Sequence, residues 1–117
     1  MRRICRDYVA DILAAAQEVE EFTRGMNYET FSKDKKTINA VIRSLEIIGE
    51  AAKRIPEEIR QQYDAIPWKR ISGMRDKLIH EYSGVDLEIV WAAINKEIPS
   101  VRPIIEKMLK DMKEQNR

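Results

Sequence analysis

The sequence predicts an all-α fold: an up-and-down, antiparallel bundle of four to five main helices in one domain spanning residues 1–117. Apolar residues recur at steps of three and four over long stretches, the period of a helix with one buried face. Only four Gly and four Pro interrupt 117 residues, so the regular elements should be long. The connecting stretches are short, which favours antiparallel neighbours. No stretch reads convincingly as a strand.

The first helix carries Ile4, Tyr8, Ile12, Ala15, Val19 and Phe22 on one face, and Gly25 is placed to stop it. A polar stretch from Met26 to Lys36 follows, with room for a short helical turn at Tyr28 to Phe31. The second long helix carries Ile38, Val41, Ile42, Leu45, Ile48, Ala52 and Ile55, and Pro56 ends it. Gly49 stands in its middle, where glycine costs about 1 kcal/mol relative to alanine, so a close helix contact is expected there. Pro56-Glu57-Glu58 has the composition of a helix start, proline first and acids in the first turn.

Pro67 opens a third main helix, with Trp68, Ile71, Leu78 and Tyr82 on related faces and Ser83-Gly84 as its break. Asp86 is the expected N-cap of a fourth, carrying Leu87, Val90, Trp91, Ile94 and Ile98. Pro99 is expected to kink or restart the chain. A last helix then carries Val101, Ile104, Ile105, Met108, Leu109 and Met112. Trp68 and Trp91 should both be largely buried.

Composition narrows the class. With 44% hydrophobic and 35% charged residues, the chain has an aliphatic interior under a charged surface, and is not a disordered segment. The one cysteine, Cys5, has no partner for an internal disulfide. Asp7 and Asp11 interrupt the N-terminal apolar stretch, against a signal peptide, and no apolar run approaches the roughly 20 residues of a membrane span. The cytoplasm is the expected location. With one His and one Cys, no conventional transition-metal cluster is expected, and no glycine-rich phosphate loop is present. No cofactor is expected.

The net charge of +1 names no partner, but its distribution is uneven. From Pro67 to His80, Lys69, Arg70, Arg75 and Lys77 face one acid, Asp76. From Glu81 to Ser100 the balance reverses, with Glu81, Asp86, Glu88 and Glu97 against Lys96. The basic segment is either a solvated helix face or a local anion site.

Within it, Arg75-Asp76-Lys77-Leu78-Ile79-His80-Glu81-Tyr82 gathers four chemically useful side chains. Asp76 lies one turn before His80, on the same side, and can orient the imidazole and favour its charged form. Arg75 stands about 140° away around an ideal helix, and Tyr82 falls roughly on the Arg75 face. Histidine moves protons near neutral pH, and arginine can hold a phosphate bidentately. The plainer reading makes His80 a helix-end or packing residue, Arg75 and Asp76 surface charges, and Tyr82 a core aromatic.

The order Arg75, four residues, His80, one residue, Tyr82 resembles the Arg-x4-His-x-Tyr signature of HEPN-domain toxins of the HepT family. The similarity extends in register to Leu45-Glu46-Ile47-Ile48-Gly49-Glu50-Ala51-Ala52, to Ile66-Pro67-Trp68, and to Gly84-Val85-Asp86. It covers nearly the whole chain. The resemblance implies a helical homodimer, open to higher assembly, in which two motifs face one cleft. It implies a metal-independent endoribonuclease that is the toxin of a toxin–antitoxin pair. The implied antitoxin is a minimal nucleotidyltransferase that transfers AMP to Tyr82. RNA would be the substrate, with Arg75, Asp76 and His80 catalytic. A ribonuclease of this kind would leave a 2′,3′-cyclic phosphate and a 5′-hydroxyl, one His80 accepting a proton and its partner-chain equivalent donating one. The rival reading is a non-catalytic subunit that binds a nucleotide or docks a nucleotidyltransferase.

Overall fold

A computed structural model describes residues 2–73 and 86–115, with side chains from Cys5 onward. Its elements are α1 (Arg2–Phe22), α2 (Tyr28–Lys33), α3 (Lys35–Arg54), α4 (Glu57–Gln62), a helical segment at 68–73, α5 (Leu87–Ala92), a π turn (Ala93–Glu97) and α6 (Ile98–Gln115). The protein is all-α, and no strand occurs among the described residues.

Each boundary has a local cause. Past the end of α1, Gly25 has φ of 78°, a left-handed conformation that glycine adopts at no steric cost. Asn27 and Thr30 cap α2 reciprocally. The Thr30 N–H donates to Asn27 Oδ1 at 2.8 Å, and the Asn27 N–H donates to Thr30 Oγ1 at 3.1 Å. Asp34 caps α3, accepting from the Thr37 N–H at 3.1 Å and the Thr37 hydroxyl at 2.9 Å. At its other end the Ile55 N–H closes on Ala52 O at 3.3 Å, and Pro56 follows.

The Thr37 backbone bond, reinforced by the Thr37 hydroxyl, holds the Asp34 carboxyl below the usual carboxylate range. A depressed folded-state pKa adds stability that is complete above the ordinary aspartate range and is lost as pH falls through the lowered value. Asp34→Asn keeps a capping oxygen but removes this titration. Its thermal midpoint should therefore fall less steeply than that of the parent between about pH 5 and about pH 2. Equal slopes would show that the cap charge contributes nothing.

The core is built on α1, which packs against both α3 and α6. Val9, Ile12 and Val19 of α1 meet Val41, Leu45, Ile48 and Ala52 of α3 and Val101, Ile105 and Met108 of α6 in one buried cluster. Apart from Val9, these positions are the ones that the three-and-four spacing marked in the sequence, and Gly49 is buried in mid-α3. Phe22, the last residue of α1, departs from that reading and is exposed. Thr23, just beyond, is buried and donates its hydroxyl to Val19 O at 2.8 Å.

One expectation about the last third of the chain is corrected. Pro99 does not restart the helix, since α5, the π turn and α6 follow one another without interruption. The Ile98 N–H reaches back five residues to Ala93 O, so the turn is one residue wider than an α-turn. A widened turn makes room for a ring that would otherwise press on the carbonyl four residues earlier. Trp91 is half-buried, unlike Trp68. Its ring packs on the fully buried Phe31 with centroids 5.0 Å apart and meets Tyr28 edge-on at 6.4 Å. Each such aromatic pair is worth about 0.5–1.5 kcal/mol beyond the area it buries. Together they dock α2 on α5.

Candidate functional site

The stretch that the sequence marks as chemical, 75–82, lies outside the described residues, so Arg75, Asp76, His80 and Tyr82 are placed only by their order in the chain. Both flanks of that stretch are described, and each is anchored.

On the N-terminal side, the segment 68–73 is pinned by a single side chain. The Trp68 indole N–H is shared between Arg60 O at 3.1 Å and Tyr63 O at 3.0 Å. These carbonyls lie where α4 runs out, and each also accepts a backbone N–H at 3.1 Å, Arg60 O from Tyr63 and Tyr63 O from Ile66, so the indole is a second donor to both. The tryptophan thus closes the end of α4 and fixes the start of the next segment in one contact. Ile71 is buried beside it, its N–H bonded to Pro67 O at 3.0 Å. Tyr63 donates its hydroxyl to the Asp111 carboxylate on α6 at 3.3 Å. Burial and the neighbouring carboxylate push the Tyr63 phenol up, so it stays protonated as a donor.

On the C-terminal side, Asp86 caps α5. Its carboxylate accepts from the Glu88 N–H at 2.9 Å and the Ile89 N–H at 3.4 Å, while Val90 beneath it is buried. A cap with two backbone donors fixes where the chain re-enters the helix.

The flanks are also joined to each other. Arg70 Nη1 stands 3.5 Å from Glu97 Oε1, linking the segment 68–73 to the π turn. The arginine side chain is 68% exposed, so the pair contributes little stability, about 0–1 kcal/mol. Its value is positional, and π turns recur at functional sites.

Between α4 and 68–73 lies a depression of about 1090 Å³, open to solvent, lined by Arg60, Lys69 and Arg70 and by the acids Glu57 and Asp64. It reaches Ser72 and Gly73, two residues before Arg75. The basic residues Lys69 and Arg70, read from sequence as part of an anion site or a solvated face, are thus exposed and border a concavity. Sequence reading missed Arg60 and Glu97. Neither is near the motif in the chain, and no local pattern marks an arginine on one helix as facing a segment eight residues on.

Cys5 is buried, and burial pushes its thiol up, which makes it a packing residue and no nucleophile. Among the described residues no group of three or more His, Cys, Asp and Glu could hold a metal ion, and no helix is long and apolar enough to cross a membrane.

Residues 12–108 match the family described as Ribonuclease HepT-like, a span that takes in both flanks and the stretch 75–82 between them. The chain belongs to this family. It is 48% identical over 110 residues to a protein of Thermococcus cleftensis named "Probable ribonuclease HepT", covering 94% of this chain and all of that one. A protein of Methanocaldococcus jannaschii named as a candidate RNase is 46% identical over 113 residues, 97% of each chain. Another, from Caldanaerobacter subterraneus, is 45% identical over 108 residues, covering 92% of this chain and 96% of that one. No solved structure matches significantly.

Proposed function

We propose that this chain, as a single domain, is a metal-independent endoribonuclease and the toxin of a toxin–antitoxin pair. The observation that carries the reading is the family match spanning an intact Arg75-x4-His80-x-Tyr82 series.

The chemistry follows from the residue types. The ribose 2′-oxygen attacks the adjacent phosphorus as its proton passes to a neutral imidazole. The bond from phosphorus to the 5′-oxygen breaks, and that oxygen takes a proton from an imidazolium. A 2′,3′-cyclic phosphate and a 5′-hydroxyl result. One chain has one histidine, so the reaction calls for two chains, one His80 accepting and the other donating. Arg75 stabilises the charge that builds on the phosphoryl oxygens. Asp76, one turn before His80, orients the imidazole and raises its affinity for the proton. In the cytoplasm, a minimal nucleotidyltransferase would restrain the enzyme by placing AMP on Tyr82.

The reading is tested with purified protein. It should cut single-stranded RNA in the presence of a chelator, leave cyclic phosphate ends, and scatter light as a dimer or larger at micromolar concentration. Intact RNA after incubation with the unmodified chain would refute catalysis and leave a nucleotide-binding or docking subunit. A monomer that cuts would refute the two-histidine mechanism.

A further inference from the structure

We propose that the depression between α4 and the segment 68–73 binds the phosphate backbone of the RNA strand beside the cleaved linkage, with Arg60, Lys69 and Ser72 as its contacts. The inference rests on the ribonuclease reading and adds to it a substrate-binding surface outside the motif.

Two buried polar atoms carry the argument. Among the described residues Arg60 Nε and Ser72 Oγ have no hydrogen-bond partner, and both belong to residues that line this depression. Buried polar groups without partners are rare in folded proteins, and each calls for a reason. Ser32 and Ser100, both helical, bond back to a carbonyl three residues earlier, at 2.9 and 3.0 Å, a bond that the Ser72 hydroxyl does not make. A guanidinium and a hydroxyl on residues that line one concavity suit an oxyanion once its arrival draws them toward it.

Charge points the same way. Among the described residues neither Arg60 nor Lys69 is in an ion pair, while Arg70 is held by Glu97. Glu57 and Asp64, which also line the depression, temper the field, so the surface favours a polyanion held at several points over a single free anion. The size agrees. At about 1090 Å³ and open to solvent, the depression is too large and too shallow to enclose a small ligand, and it suits an extended strand. Arg75 follows Gly73 by two residues, so RNA engaged at the motif has a short path into it. Phosphate contacts of this kind position a strand without reading its sequence.

The test uses the full chain with Arg60→Gln and Lys69→Gln, singly and together. The binding probe is a labelled 2′-O-methyl oligoribonucleotide, which lacks the attacking hydroxyl. Cleavage is followed on the unmodified oligoribonucleotide. The double variant should bind about tenfold more weakly, whatever the base sequence. Its dependence of log affinity on log salt should flatten by about 0.7 for each cation removed. KM should rise while kcat stays within about twofold. Lys69 is exposed, so Lys69→Gln carries the test even if Arg60→Gln fails to fold. Wild type that cuts RNA, alongside variants matching it in affinity and salt slope, overturns the inference and leaves the ribonuclease reading standing. Wild type that binds RNA without cutting it, with binding weakened in the variants, supports the depression and refutes catalysis. Loss of nucleotidyltransferase capture with RNA affinity unchanged would make this a protein-docking face and overturn the inference.

Discussion

His80→Ala is expected to abolish RNA cleavage and cell toxicity while leaving the helical content unchanged. A positioned acid or base contributes about 10²–10⁴-fold to a proton-transfer step. The reaction proposed here uses the same residue twice in a dimer, once on each side of the phosphorus, so the loss should reach or exceed the upper end of that range. Arg75→Ala should cost about 10²–10³-fold, the usual effect of removing one group that stabilises transition-state charge. Asp76→Asn should cost less, since it disturbs only the orientation and proton affinity of the imidazole. The informative measurement is single-turnover cleavage of one oligoribonucleotide, with circular dichroism on the same samples. A second arm mixes His80→Ala chains with Arg75→Ala chains. If a cleft takes different groups from each partner, mixed dimers recover part of the activity that neither variant has alone. His80→Ala protein that cuts at the wild-type rate would place the chemistry elsewhere.

Tyr82→Phe is expected to produce a toxin that its partner can no longer silence by modification. Transfer of AMP to a phenol joins the tyrosine oxygen to the α-phosphorus of a nucleoside triphosphate. The bond to the departing pyrophosphate breaks, and the phenolic proton goes to a base. Each transfer places a phosphate charge and a base two residues from His80. Like charge and bulk then oppose RNA at the cleft, even with Arg75 and His80 unaltered. Intact-protein mass spectrometry after co-expression with the proposed minimal nucleotidyltransferase should show increments of whole AMP units on the wild type and none on Tyr82→Phe. Cleavage should be lost only in the modified chains, and restored when the group is removed. Neutralisation of a chain that stays at its unmodified mass would reject this form of control in favour of simple steric blocking.

The candidate site was read from local signals. Arg75, His80 and Tyr82 were found by spacing within eight residues, and Asp76 by its place one turn before the histidine. Their arrangement in space is another matter, which residue order does not supply. The anchoring of the flanks shows the same division. Asp86 was recognisable as an N-cap from its position before Leu87 and Glu88, and it accepts the N–H groups that this position predicts. The Trp68 indole that closes α4 was read only as an apolar residue, because its partners, Arg60 O and Tyr63 O, are backbone groups that become available where α4 ends.

By itself the sequence determined that the chain is helical, where α1 and α3 stop, and which face of each goes inward. These outcomes depend on the period of 3.6 residues, on glycine's access to positive φ at Gly25, and on proline's missing N–H at Pro56, all of them short-range effects. Only the tertiary structure decided how completely each face is covered. Phe22 and Trp91 sit on apolar faces yet stay partly in solvent, because burial depends on what other elements pack over a face. Only the tertiary structure carried the helix through Pro99, where packing of Ile94, Ile98 and Val101 into the core outweighs a local breaker and the π turn takes up the strain. It alone brought Arg70 to Glu97 and set Arg60 and Ser72 around one depression, since contacts between residues far apart in the chain leave no periodic trace within it.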